Sequence, residues 1–149
     1  MTLMDSLLRL LPDVERAGVY HSDIDGAEIT AAAKTVGFHI FKIDLGNARG
    51  KDGILERVAK SLRFPGYFGR NWDALADCLS DLAWLDGAGW ALILVHCDVF
   101  ARKHEDSFNT AVEVLNAAAT SWRERKKPFW VFVQGKAGWE PGLPKIVVD

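Results

Sequence analysis

The sequence predicts an α/β protein with a small, mostly parallel, three- to four-stranded sheet and helices packed on it. Two observations support this prediction. Residues 90–95 (WALILV) and 129–133 (FWVFV) are continuous apolar runs of strand length, which is typical of strands covered on both faces. Segments with helical spacing of apolar residues alternate with the strand-like segments, and such crossovers favour parallel pairing. The 149 residues are enough for one domain with a sizeable core.

The start of the chain is expected to contain a helix, a strand and a second helix. Residues 3–11 have the pattern of a short amphipathic helix, and residues 17–21 that of a strand. Asp25 and Glu28 have the spacing of a capping box, so the second helix is expected to begin there and to end at Gly37.

Beyond residue 37, the apolar pattern predicts further alternation of strands and helices. Strands are expected at residues 38–45, 90–96 and 129–133, and helices from Asp52 to just before Pro65 and from about Asp106 to Arg125. The tail after residue 134 is rich in glycine and proline and is expected to loop over the surface.

Between these elements, residues 64–82 (FPGYFGRNWDALADCLSDL) are expected to form a turn followed by a helix. Pro65, Gly66 and Gly69 indicate the turn. Asn71 is a favourable N-cap residue, and Asp73 falls in the first turn, where a carboxylate suits the positive end of the helix dipole. The face expected to be buried consists of Trp72, Leu75, Leu79 and Leu82.

Three aspartates, Asp73, Asp77 and Asp81, are spaced four residues apart on the other face of this helix, and we call them the acidic ridge. Like charges at this spacing destabilise an isolated helix by roughly a few tenths of a kcal/mol per pair. Only Asp73 is favoured by the helix dipole. The acidic ridge is therefore a candidate docking surface for a cationic partner, although on spacing alone an ordinary solvated face is the commoner explanation.

The sequence offers little support for catalysis or for a bound metal or cofactor. His96, Cys97 and Asp98 are adjacent, but successive residues of a strand point to opposite faces, so they are not expected to converge. The histidines lack ligand spacing, and no glycine-rich phosphate loop is present. We therefore predict that the protein is not an enzyme and has no metal or cofactor. Cys78 and Cys97 are expected to be reduced core thiols.

Charge and hydropathy also argue against nucleic-acid and membrane partners. The net charge is −2, and the basic cluster at residues 123–127 is explained as well by a solvated helix terminus as by nucleic-acid binding. The first residues lack a basic start and a cleavage site, and no apolar stretch is long enough to span a membrane. A cytoplasmic location is the expectation.

Residues 66–79 (GYFGRNWDALADCL) resemble the core motif of the barstar family, small intracellular inhibitors of barnase-type ribonucleases. The motif runs Tyr-aromatic-Gly-x-Asn-x-Asp-Ala-Leu-x-Asp-Cys-Leu, and every type is present in register. A looser resemblance, including the order of strands and helices, covers residues 38–134. The resemblance implies a single barstar-like domain over residues 1–149, with an N-terminal extension at 1–37, a core at 38–134 and a tail at 135–149.

In this family the motif helix and the preceding turn block the active site of the ribonuclease. The resemblance implies that Asp77 takes the place of a substrate phosphate and that Asp73 pairs with a neighbouring cation. Tyr67 would cover a catalytic histidine of the enzyme, while Gly69 and Asn71 would shape the approach. The predicted partner-binding residues are Tyr67, Gly69, Asn71, Asp73, Ala76, Asp77 and Asp81.

Three positions depart from the family pattern. Arg70 stands where an acid is usual, Ala76 replaces a tryptophan, and Thr120 lies near the position of an acid on a later helix. A cation at position 70 would oppose a strongly basic enzyme. Two alternatives therefore stay open for the partner: a small basic ribonuclease, or a protein of another class recognised by a barstar-fold interaction or immunity module.

Overall fold

A computed structural model of the chain describes residues 1–66 and 68–148. In chain order, the elements are α1 (Leu3–Leu10), β1 (Val19–His21), α2 (Gly26–Thr35), β2 (His39–Asp44), α3 (Gly50–Ser61), α4 (Trp72–Asp81), a short 3-10 helix (Ala83–Leu85), β3 (Trp90–Val95), α5 (Cys97–Lys103), α6 (Glu105–Glu124) and β4 (Phe129–Val133). The strands form one four-stranded sheet in the order β1-β4-β3-β2, and all pairs are parallel. The predicted fold class is confirmed.

Both faces of the sheet are covered by helices, which explains the continuous apolar runs in β3 and β4. Leu92 and Val131 belong to a core shared with α3, α4 and α6, whereas Ile93 and Phe132 belong to a second core shared with α1 and α2. Because successive strand residues point to opposite faces, a strand that is covered on both sides carries apolar residues at every position.

Residues 1–37 supply the cover of the second face. Leu7 of α1 and Ile29 of α2 are fully buried in the second core. The indole Nε1 of Trp130 donates a hydrogen bond to the carbonyl oxygen of Leu11 at 2.9 Å, which ties the end of α1 to β4. β1 adds an edge strand by pairing with β4, with Val19 opposite Val131.

The tail does not simply loop over the surface, and that expectation is wrong at residues 144–146. The amide of His21 donates to the oxygen of Pro144, and the amide of Ile146 donates to the oxygen of His21, both at 2.9 Å. These bonds satisfy outward-facing backbone groups of the edge strand β1, and Ile146 becomes buried against the second core.

The interpretation of residues 96–98 as part of the strand is wrong, because β3 ends at Val95 and a separate helix, α5, begins at Cys97. His96 has a left-handed backbone (φ 59°) that turns the chain out of the sheet. The amide of Cys97 then donates to the oxygen of Gln134 at 2.9 Å, beyond the end of β4. His96, Cys97 and Asp98 therefore do not continue the strand. The predicted helix from about Asp106 to Arg125 is confirmed within one residue at each end, as α6.

Candidate partner-binding site

The first turn of α4 is fixed by the predicted cap. The side-chain oxygen of Asn71 accepts a hydrogen bond from the amide of Ala74 at 2.8 Å, which satisfies one of the unpaired donors at the helix start. Leu75, Leu79 and Leu82 are buried in the first core, while Trp72 is half-buried against it. The capping residue and the apolar face predicted for α4 are thus confirmed.

The last turn of α4 is held from α6. The indole Nε1 of Trp122, a side chain in the core, donates to the carbonyl oxygen of Leu79 at 2.7 Å. That carbonyl is one of the acceptors that a helix end leaves without a backbone partner. The Trp122 ring also lies 4.3 Å from the ring of Trp90 in β3, centre to centre. The two ends of α4 are therefore anchored by polar contacts, and its inner face is anchored by packing.

The acidic ridge lies on the solvent side of this anchored helix. Asp73, Asp77 and Asp81 are all exposed. Within residues 1–66 and 68–148, none of the three carboxylates makes an ion pair or a hydrogen bond. The charges of Asp77 and Asp81 also affect Cys78, on the buried side of α4. Burial raises the pKa of the Cys78 thiol, and the charges of Asp81 and Asp77 raise it further.

The other predicted partner-binding residues surround the start of α4. Gly69 and Asn71 are exposed in the turn, and Ala76 is half-buried on α4. The Asn71 side-chain nitrogen donates to the oxygen of Gly69 at 3.4 Å, so Asn71 braces the turn as well as the helix. Tyr67, which is also predicted to bind the partner, lies outside the described residues.

Two of the departures from the family pattern are exposed. Thr120 lies on the outer side of α6, and Arg70 lies in the turn immediately before α4. Arg70 has a left-handed backbone (φ 54°). Its guanidinium makes no ion pair with any residue that the structure describes.

A hollow of about 370 Å³ lies between α3 and this turn, and sequence reasoning did not identify it. Phe64 and Phe68 form part of its lining, with their rings 5.0 Å apart and edge to face. Lys60 and Glu56, one turn apart on α3, line it together with Arg70. The only signal in the sequence is a pair of aromatic residues on either side of the Pro65 turn, and this does not reveal that α3 forms the opposite wall.

The residues at the start of α5 do not form a nucleophilic site. Cys97 is fully buried, its thiol donates to the oxygen of Leu94, and burial raises its pKa to about 12. His96 is instead exposed, with Nδ1 2.7 Å from Oδ1 of Asp44. Both Cys97 and Cys78 are buried free thiols, which confirms the prediction of reduced core cysteines.

Three of the basic residues near the end of α6 contact other groups of the protein. The Arg123 guanidinium donates to the oxygen of Ala17. The Arg125 guanidinium lies 3.5 Å from the centre of the Trp122 ring, a cation–π contact. Lys127 forms an ion pair with Asp86 at 3.1 Å. The Arg123 contact joins α6 to the segment before β1, the Arg125 contact stays at the end of α6, and the Lys127 contact joins the segment before β4 to the segment before β3.

Comparison with known protein families identifies the fold. The model of the family described as Barstar (barnase inhibitor) matches residues 38–134. The chain belongs to the barstar family. The match runs from just before β2 to just after β4, so it includes the acidic ridge and the hollow but not residues 1–37. No match was found among curated proteins. In the described part of the chain, every helix is too short or too polar to cross a membrane.

Proposed function

We propose that this barstar-family protein binds and blocks a cationic, barnase-type ribonuclease inside the producing cell, with the acidic ridge in the place of the phosphates of RNA. The observation that carries the proposal is the exposure of three carboxylates, which have no ion-pair or hydrogen-bond partner among the described residues, on a helix that is anchored at both ends. The class of partner is taken from the family, whose members are described as barnase inhibitors.

The physical basis is preorganisation. A carboxylate on an anchored helix loses little conformational freedom when it enters a cationic pocket, so more of the charge-assisted hydrogen bonding is retained as binding free energy. Asp77 lies between Asp73 and Asp81 on the ridge. We therefore assign Asp77 the central place, where a bound partner excludes the most water and where interface hot spots cluster.

The remaining contacts are proposed along α4 and in the turn before it. Tyr67, Gly69, Asn71 and Asp73 would meet the partner at the start of the helix, and Ala76 and Asp81 further along it. We also propose that residues 1–149 act as a single domain, because both cores are built on the same sheet.

The direct test mixes the protein with barnase and with the small basic ribonucleases of its own source, and follows RNA cleavage. Inhibition that is complete near equimolar ratio is expected with at least one enzyme. Asp77→Ala should weaken that complex by about 2 kcal/mol or more, the scale of a hot spot. Glu28→Ala is the matched control, because Glu28 is an exposed acid on α2, which covers the opposite face of the sheet. Failure to inhibit every enzyme tested would contradict the proposal.

One observation favours a second candidate, a barstar-fold interaction or immunity module whose partner is not a ribonuclease. Arg70 is exposed three residues before Asp73 and has no ion-pair partner among the described residues, and a uniformly basic partner would repel it. Capture of partners from the native cell separates the two candidates. Recovery of a small basic nuclease supports the ribonuclease inhibitor, and recovery of a stoichiometric partner without nuclease activity supports the alternative.

A further inference from the structure

We propose that the hollow beside the acidic ridge receives an acidic side chain of the partner. This inference rests on the proposed function and specifies the chemistry of the ribonuclease. Its cationic active site would be bordered by an aspartate or glutamate that lies next to an apolar side chain. The interface would then contain two charge pairings of opposite sense, with carboxylates of this protein on α4 and cations of this protein at the hollow.

The apolar part of the hollow is held in place by packing. The Phe64 ring contacts both Phe68 and Trp84, with ring centres 5.0 and 5.9 Å apart, and both contacts are edge to face. Trp84 is itself fixed, because its Nε1 donates to the oxygen of Leu62 at 2.8 Å. A hollow whose aromatic lining is already ordered can accept an apolar side chain without first reorganising.

Among the charged side chains that line the hollow, cations outnumber acids. Lys60 and Arg70 line it, and Glu56 is the acid among the lining residues. In the described part of the chain, none of these three side chains makes an ion pair or a hydrogen bond. Even if Glu56 and Lys60 are set against each other, one cation therefore has no acidic counterpart among the described residues that line the hollow. This charge complements an anionic group of the partner.

The position of Arg70 favours such a group. Arg70 lies in the turn directly before α4, three residues before Asp73. A partner that covers the acidic ridge from its first turn also approaches Arg70 and removes water from it. A cation that loses its water without gaining a carboxylate is strongly destabilising, whereas a bidentate carboxylate partner offsets the loss. A partner without an acid at this point would bind poorly despite its basic active site.

Charge reversal at the hollow tests the inference by the sign of its effect. The probe is whichever of barnase and the small basic ribonucleases of the source is inhibited most strongly by the unaltered protein. Arg70→Glu and Lys60→Glu should each weaken inhibition, by at least about tenfold for Arg70→Glu. Arg70→Asn should have an intermediate effect, and asparagine tolerates the left-handed backbone at this exposed turn. Lys34→Glu, an exposed cation on α2, is the matched control and should change little.

The opposite result overturns the inference. If Arg70 merely opposes a basic enzyme, Arg70→Glu will speed association and tighten inhibition, and an unchanged affinity would equally contradict a role for the hollow. The two proposals fail differently. If the hollow alone is misassigned, Asp77→Ala still weakens inhibition while the Arg70 and Lys60 variants do not. If no ribonuclease is inhibited by the unaltered protein, both proposals fall. Circular dichroism of each variant confirms that it is folded.

Discussion

The acidic ridge should lower the stability of the free protein, and Asp77→Asn tests this directly. Asp77 has a like charge four residues away on each side, Asp73 and Asp81, so the substitution removes two repulsive pairs. At roughly 0.2–0.5 kcal/mol per pair, the free energy of unfolding should rise by about 0.4–1 kcal/mol. Asparagine and aspartate have similar helix propensities, so the substitution isolates the charge. Asp77 lies beyond the first turn of α4, so little dipole stabilisation is lost.

The assay is equilibrium unfolding in urea, which is uncharged and leaves the ionic strength free to be varied. The gain should be present at about 10 mM salt and nearly absent at about 0.5 M, where the Debye length falls to about 4 Å. Asp73→Asn should be close to neutral, because it removes one repulsive pair but also a favourable dipole contact. Glu113→Gln on α6 is the control, because its neighbours three and four residues away are uncharged.

The reasoning is refuted if Asp77→Asn is less stable than the unaltered protein at low salt, or if its gain is the same at high salt. A loss of stability at low salt would mean that the Asp77 carboxylate is already compensated within the protein, and the proposed function would then lose the observation that carries it. A gain that is the same at high salt would mean that it does not come from charge repulsion along α4. A salt-sensitive gain would instead show that the free protein tolerates uncompensated repulsion along α4.

Four further predictions follow from particular contacts. Trp122→Phe leaves the oxygen of Leu79 unpaired and loses core volume, so urea unfolding should show a loss of about 2–4 kcal/mol; a loss below about 0.5 kcal/mol would show that α4 is not anchored there. In stopped-flow mixing with an inhibited ribonuclease, the association rate should fall as salt rises, and a salt-independent rate would contradict steering by the ridge. Cys78 and Cys97 are buried, and the pKa of Cys97 is raised to about 12. The native protein should therefore not react with a thiol reagent near neutral pH, whereas the urea-unfolded protein should. Rapid reaction of the native protein would contradict the packing of these two thiols. The hydrogen bond from His96, followed by that from Gly46, lowers the pKa of Asp44. The stabilising contribution of the Asp44 carboxylate is therefore present above its unfolded pKa of about 4 and is lost as the pH falls through the lower folded value. The loss of stability caused by Asp44→Asn, measured by urea unfolding, should shrink on acidification, and a loss that stays constant would contradict the pairing.

Much of the fold could be predicted from local sequence pattern. The apolar runs in β3 and β4 indicated strands covered on both faces, because such strands carry few polar positions. Asn71 and the leucines after it predicted α4, since a capping residue and a helical apolar period are both local signals. The resemblance over residues 66–79 identified the family, and the family match over residues 38–134 confirmed it.

Other features depend on contacts between distant parts of the chain and could not be predicted in this way. α5 has only seven residues, too few for an apolar period to be distinguished from the end of a strand. The pairing of residues 144–146 with β1 requires an open sheet edge that only the assembled fold provides. The hollow requires α3 and the turn before α4 to lie side by side. Trp84 contacts both, through its hydrogen bond to the oxygen of Leu62 and its ring contact with Phe64.

The layer formed by α1, α2 and the tail has a practical consequence for work on this protein. The guanidinium of Arg16 donates to the oxygen of Val147 at 3.1 Å, so the two segments outside the family match hold each other in place. Trimming the chain to residues 38–134 would uncover Trp130 and Phe132 together, and a fragment with such an exposed apolar face is expected to aggregate. Fluorophores or affinity tags are better attached to the outward surface of α2, on the side of the sheet away from α4, where they leave the face proposed to bind the partner accessible.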